Sequence, residues 1–139
     1  MKKSLALICL LLAAACGEDA STGGAERAAY PDASTPEGAG RLSFGQCAVC
    51  HTAAQGQPHR IGPNLYGVVG ATAGQMDGFA YSAAMRDSGV VWTEEALDAF
   101  LENPQRFMRG NRMAYMGESD AETRSNIIAY MKSLDGGAN

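Results

Sequence analysis

Apolar and polar positions divide this chain into unlike parts. Leu5 to Ala15 is an apolar run behind Lys2 and Lys3. It is too short to span a bilayer comfortably. Residues 17–39 have almost no large apolar side chain; Gly, Ala, Ser, Thr and Pro dominate, with Glu18, Asp19, Glu26, Asp32 and Glu37 among them. From Gly40 apolar residues return at helical spacing. Leu42 and Phe44 predict a first helix over about Gly40 to Val49. A loop with Gly and Pro follows from Thr52 to about Phe79, then a helical turn near Tyr81 to Asp87. Thr93 is a good N-cap, with Glu94 and Glu95 in the first turn, where the helix dipole favours acids. Ala96, Leu97, Phe100 and Leu101 continue that helix, and Pro104 stops it near Glu102. Ser119-Asp120-Ala121-Glu122 has the form of a capping box. It opens a last helix whose Ile127, Ile128, Met131 and Leu134 can face a core, and Gly136-Gly137 ends it. No strand alternation and no repeat is present in the sequence, so the expected class is all-α.

The same pattern sets the expected organisation. Residues 1–16 read as a secretory signal segment. Ala13-Ala14-Ala15 offers small residues before a cut ahead of Cys16. That resembles the lipobox of bacterial lipoproteins, in which the new N-terminal cysteine carries the lipid, although Leu is more usual where Ala13 stands. Ordinary signal cleavage with Cys16 as a bystander is the alternative. Either way the expectation is export to the periplasmic side. Residues 17–39 cannot bury enough surface to offset their ordering entropy and read as a flexible linker. Residues 40–135 form one small domain with a thin core, and 136–139 a tail. The whole chain carries −4, and from Gly40 onward 8 basic residues face 10 acidic ones. A nucleic-acid partner would want a net basic face, so none is expected.

The chemistry concentrates in Cys47-Ala48-Val49-Cys50-His51. C-x-x-C-H is the attachment signature of a c-type haem. Two thiols three residues apart can bond the two vinyl groups of one porphyrin, and the adjacent His51 can reach its iron. A thioredoxin-like C-x-x-C would need a βαβ setting, and the flanks are not strand-rich. A structural zinc site usually needs four protein ligands. The chain has 4 cysteines, but Cys9 and Cys16 belong to the N-terminal segment. That leaves Cys47, Cys50, His51 and His59, crowded on one short stretch.

Together with Ile61-Gly62-Pro63-Asn64-Leu65-Tyr66-Gly67, Phe79-Ala80-Tyr81-Ser82, Val91-Trp92-Thr93-Glu94-Glu95, Leu101-Glu102-Asn103-Pro104, Gly110-Asn111-Arg112-Met113-Ala114-Tyr115 and Ile127-Ile128-Ala129-Tyr130, this run resembles class I cytochrome c, closely its mitochondrial-type branch. The resemblance implies the cytochrome c fold: three main helices and long loops wrapped around one covalent haem c. The first and last helices would cross at Gly40, with Phe44, Ile127 and Tyr130 around the crossing. It implies Cys47 and Cys50 as attachment points, His51 as proximal ligand and Met113 as distal ligand. Met116 and Met108 share that loop and are the runners-up. Pro63 would accept a hydrogen bond from His51, Tyr81 and Trp92 would bond a haem propionate, and Asn111 lies in the ligand loop at the cofactor. His59 reads as a histidine that ties a loop.

The implied function is one-electron transfer by a monomer, the iron cycling between Fe(III) and Fe(II), with membrane redox complexes and other electron-transfer proteins as partners. A lipid on Cys16 would tether it to a membrane. Arg106, Arg109 and Arg112 could form a positive rim that steers acidic partners. Ala71, Met85, Phe100 and Arg109 depart from the mitochondrial branch; the first three remove polar groups near the haem. The rival reading is a haem enzyme or sensor of peroxide or a diatomic gas, with a distal Met that leaves.

Overall fold

The computed structural model describes residues 31–135. The signal segment, Cys16, most of the linker and the Gly136-Gly137 stop lie outside the described residues.

Helix α1 (Pro36–Ser43) starts four residues earlier than the hydrophobic pattern predicts. The reason is local chemistry inside a stretch that composition assigns to the linker. The Thr35 side chain accepts from the Gly38 N–H at 3.1 Å, and Pro36 occupies the first turn. Nor is the helix continuous to Val49. It pauses at Phe44, and α2 (Gly45–Ala48) takes over. Helical turns then carry the chain on: the Cys50 N–H donates to the Cys47 carbonyl at 3.0 Å and the His51 N–H to the same oxygen at 2.9 Å.

From Thr52 to Ser82 the chain is loop. Among the described residues there is no strand, only one antiparallel bridge between Thr72 and Val91. Helix α3 (Ala83–Arg86) is a single turn capped by Ser82. Helix α4 (Glu94–Glu102) begins at Thr93, which accepts from the Ala96 N–H at 3.2 Å, and ends before Pro104 as predicted. Pro104 then opens α5 (Pro104–Phe107), because a proline fits the first turn where its missing N–H is not needed. Helix α6 (Ala121–Ser133) is the longest.

The expected Ser119 capping box is not the cap. Asp120 does that work, accepting from the Thr123 N–H at 2.6 Å. The Ser119 and Glu118 carbonyls are instead bound by Arg124 Nη1 at 3.0 and 2.9 Å. Arg124 is buried on α6 and also meets Asp98 on α4, Nε to Oδ1 at 2.7 Å. A buried charge must be paired, and this one joins α4, α6 and the segment leading into α6.

The core forms where α1 crosses α6. A Cβ on Gly40 would run into the Asn126 carbonyl and the Tyr130 Cβ, so only glycine admits this approach. Phe44 and Tyr130 meet edge to face at 5.1 Å, and Ile127 is 1% exposed. Leu97, Leu101, Ile128 and Met131 extend the core along α4 and α6. Leu134 is only half-buried, because it caps the helix rather than lying within it. The expected all-α architecture and crossing are both present.

Candidate functional site

Cys47 and Cys50 stand three apart on a helical turn, which sets them on one face. Both are free and half-buried. Burial, with Cys50 adding, pushes the Cys47 thiol up to about 11, so it is a neutral thiol rather than a thiolate. Tyr115 sits against the same turn; burial and then the neighbouring Cys47 raise its phenol, while a Gln46 hydrogen bond opposes them.

His51 follows at once. Its Nδ1 lies 2.7 Å from the Pro63 carbonyl oxygen. A carbonyl can only accept, so Nδ1 carries the proton and Nε2 keeps a lone pair. Burial lowers the imidazole pKa, against the Pro63 bond, and the neutral ring is the ligand form.

A strap holds this arrangement. The Gly62 N–H donates to the Cys50 carbonyl at 2.9 Å, and Arg60 Nη1 to the Ala48 carbonyl at 2.6 Å. A Cβ on Gly62 would lie 2.6 Å from His51 Nδ1, so the strap packs flat against the ring. Asn64 is buried and donates to the Ala54 and Gln57 carbonyls at 2.8 and 3.0 Å. His59 ties the loop as expected. Its Nε2 donates to the Asp77 carbonyl at 2.7 Å, and its Nδ1 accepts from the Asn64 N–H at 3.0 Å. With both nitrogens engaged, His59 cannot complete a zinc quartet. The redox-dithiol reading fails as well, since no βαβ unit exists among the described residues.

The methionines separate by burial. Met108 is 6% exposed in the core and Met116 is 92% exposed, while Met113 is half-buried against the core cluster. Asn111 is buried beside it, and every donor of its amide is engaged within the chain. Its Nδ2 donates to the Pro104 and Met108 carbonyls, each at 2.8 Å, and its Oδ1 accepts from the Met113 N–H at 2.9 Å. Asn111 therefore acts on the loop; it offers no free donor to a cofactor.

Trp92 is 6% exposed and packs on Phe100 at 4.9 Å and Phe107 at 6.2 Å between ring centroids. Its indole N–H has no partner among the described residues, and no fully enclosed side-chain polar atom there lacks one, so the N–H opens on accessible space. Tyr81 is half-buried against Phe79 at 4.8 Å, and burial raises its phenol. Of the four departures, Phe100 is buried among the aromatic rings, Met85 is half-buried against the core, and Arg109 is exposed.

All three arginines of the expected rim are exposed, and they differ in their partners. Arg106 pairs with Glu102 one turn back, and Arg112 donates to the Ala80 and Tyr81 carbonyls. Only Arg109 of the three has no hydrogen bond or ion pair among the described residues. The pattern missed Arg60, Asn64 and Arg124; the Gly-Pro-Asn run could have pointed to Asn64, but nothing local marks the arginines.

Two thiols on one turn, an imidazole with a spare Nε2, an apolar wall and an unpartnered indole N–H fit a covalently attached haem. The family model described as cytochrome c matches residues 38–135. Cytochrome c of Trypanosoma brucei brucei is 49% identical over 82 residues, covering 59% of this chain and 88% of that protein. Cytochrome c2 of Rhodopila globiformis is 43% identical over 88 residues, covering 63% of this chain and 82% of that one. Among solved structures, cytochrome cH from Methylobacterium extorquens aligns with a TM-score of 0.65 at 38% identity, covering 68% of this chain and 95% of that one. The chain belongs to the cytochrome c family, electron carriers that hold a covalent haem c, and its Cys47 and Cys50 stand at the positions of the attachment cysteines.

Proposed function

We propose that this electron carrier holds its haem through Cys47 and Cys50 and ligates the iron with His51 on one side and Met113 on the other. When bound, the haem supplies one-electron exchange at iron. The residues around it set the conditions. Burial keeps His51 neutral, and Pro63 fixes its tautomer, which orients Nε2 as a ligand. Met113, a thioether opposite an imidazole, favours the reduced state. Trp92, Phe100 and Phe107 exclude water from one wall, and Trp92 and Tyr81 serve the propionate side. Asn111 carries the reading, because its bond to the Met113 N–H shapes the turn on which that methionine stands, half-buried against the core. The carrier relatives argue against the open-site enzyme or sensor.

The wider setting belongs to the same proposal. Electrons pass near the attachment turn, where Val49 is 65% exposed and Ile61 80% exposed beside the half-buried cysteines. The partners are membrane redox complexes and other electron-transfer proteins, met by a monomer on the periplasmic side. The N-terminal segment exports the chain, with a lipid on Cys16 as its tether. The identity to the Trypanosoma protein supports the mitochondrial-type branch.

One experiment tests most of this: the far-red absorption of the purified oxidised protein, together with the mass of its mature form. Methionine ligation gives a weak far-red band, and the mass reports one haem, the cut site and any lipid. A high-spin spectrum at neutral pH without that band sinks the carrier reading.

A further inference from the structure

We propose that Val49, Ile61 and Met116 form an uncharged apolar docking face, and that the partner it takes is an electron-transfer protein with an uncharged apolar face around its own redox centre. The inference rests on the carrier reading made above and names the kind of partner that reading needs.

Backbone bonds bring these side chains together. Arg60 Nη1 donates to the Ala48 carbonyl at 2.6 Å, and the Gly62 N–H to the Cys50 carbonyl at 2.9 Å. The two bonds grip the chain on either side of Val49, so Ile61, between Arg60 and Gly62, is set beside it. The Arg60 N–H also closes onto the Gly62 carbonyl at 2.9 Å, which leaves Ile61 at the tip of a tight turn. Val49 is 65% exposed and Ile61 80% exposed. Tyr115 sits against Cys47 and Gln46 on the same attachment turn, and Met116, next in the chain, is 92% exposed.

The charge pattern decides what fits. Between Arg41 and Asp77 the only charged side chain is Arg60, and its guanidinium already bonds Ala48. Residues 113–117 carry no charge. A partner that set carboxylates or ammonium groups against Val49, Ile61 and Met116 would bury them without counter-charges, at a large cost. A partner with an apolar face avoids that cost and gains by removing apolar surface from water. The face is small, which suits a carrier that must leave after each electron, since redox encounters bury less than about 1,200 Å². Salt screens charges and not apolar contact, so docking here depends little on ionic strength.

A second copy of the holoprotein presents the same face and is the probe. Ferric and ferrous protein are mixed, and electron self-exchange is read from NMR line widths at low and at high salt. The rate should change by less than about threefold between them. Ile61→Ser and Met116→Ser should each slow it about tenfold, the scale of one apolar side chain lost from the contact, with the far-red band and the reduction potential unchanged. Val91→Thr, at an exposed apolar residue on the Thr72 bridge, should leave the rate as it is. In the fully reduced protein, the methyl signals of Val49, Ile61 and Met116 should move with protein concentration, and those of Val91 should not. A rate that climbs more than about tenfold with salt, as repelling arginine rims require, overturns the proposal. So do wild-type exchange in both serine variants and methyl signals insensitive to concentration. Binding to phosphatidylcholine vesicles that Met116→Ser weakens assigns the face to lipid and overturns it too. A holoprotein without the far-red band fails the carrier reading itself. A normal band with wild-type exchange in the serine variants fails the docking face alone.

Discussion

His51 donates from Nδ1 to the carbonyl oxygen of Pro63 at 2.7 Å, across 12 residues of sequence. That bond decides which nitrogen is left for iron. It is made possible by the residue before the proline: Gly62 has no side chain to push the ring away.

Gly62→Ala should therefore impair the site more than a surface substitution would. Its Cβ would stand 2.6 Å from Nδ1 and 2.7 Å from Nε2 of His51, and the backbone bonds of Gly62 to Cys50 and Arg60 limit relief. The expected outcome is a lower yield of haem-loaded protein and a lower unfolding midpoint, with a loss of about 1–3 kcal/mol typical of overpacking. Pyridine haemochrome assay and denaturant titration measure both. A variant with normal yield and midpoint would contradict the flat packing.

The three methionines of the ligand loop should behave differently. Met113→Ala should abolish the far-red band of the oxidised protein. Met116→Ala, at a residue 92% exposed, should change neither spectrum nor stability. Met108→Ala should keep the band but cost about 2–5 kcal/mol, the usual loss for a buried methionine. Loss of the band in Met116→Ala instead would move the axial ligand.

Gly40→Ala probes the helix crossing. A methyl there meets the Asn126 carbonyl and Tyr130, which belong to the facing helix α6. The helices must separate, and about 2–3 kcal/mol of stability should be lost. Alanine raises helix propensity by up to about 1 kcal/mol over glycine, so a stabilised variant would mean the crossing is looser than the geometry implies.

Asp120 should make stability depend on pH in a defined direction. The Thr123 backbone N–H, then the Thr123 side chain, lower its carboxyl pKa below the ordinary value, and Arg124 adds to this. A carboxyl pKa depressed on folding stabilises above its unfolded value, and that contribution fades as pH falls through the folded one. Asp120→Ala should unfold more easily than the wild type at neutral pH, and the gap should narrow below about pH 4. Asp120→Asn should keep most of the cap without this pH response. Thermal melts across the acid range measure it; a gap independent of pH would remove the carboxylate from the account.

Much of this molecule is legible in one dimension. Thr93 caps α4 and Pro104 limits it because both act within a turn of their own position. Ile127, Ile128 and Met131 announce a buried helix face by spacing alone. The attachment run is readable because its chemistry needs two thiols and an imidazole close together in the chain. The errors share another cause. Thr35-Pro36-Glu37 is a sound helix start, but it sits in a stretch whose composition reads as linker. Ser119 loses the cap to Asp120 because Arg124 binds the carbonyls around it.

The amino-acid order alone determined the class of the fold, the haem-binding turn and the methionine set from which a distal ligand is drawn. These follow from periodicity, capping and covalent reach, all of which act over a few residues. Only the tertiary structure decided which polar groups remain available. His51 keeps Nε2 because Pro63, 12 residues on, takes Nδ1. Asn111 turns inward to the Met113 N–H, and Arg112 reaches back 31 residues to Tyr81. A donor or acceptor is satisfied by whatever the fold brings within about 3 Å, and that neighbour has no fixed distance along the chain.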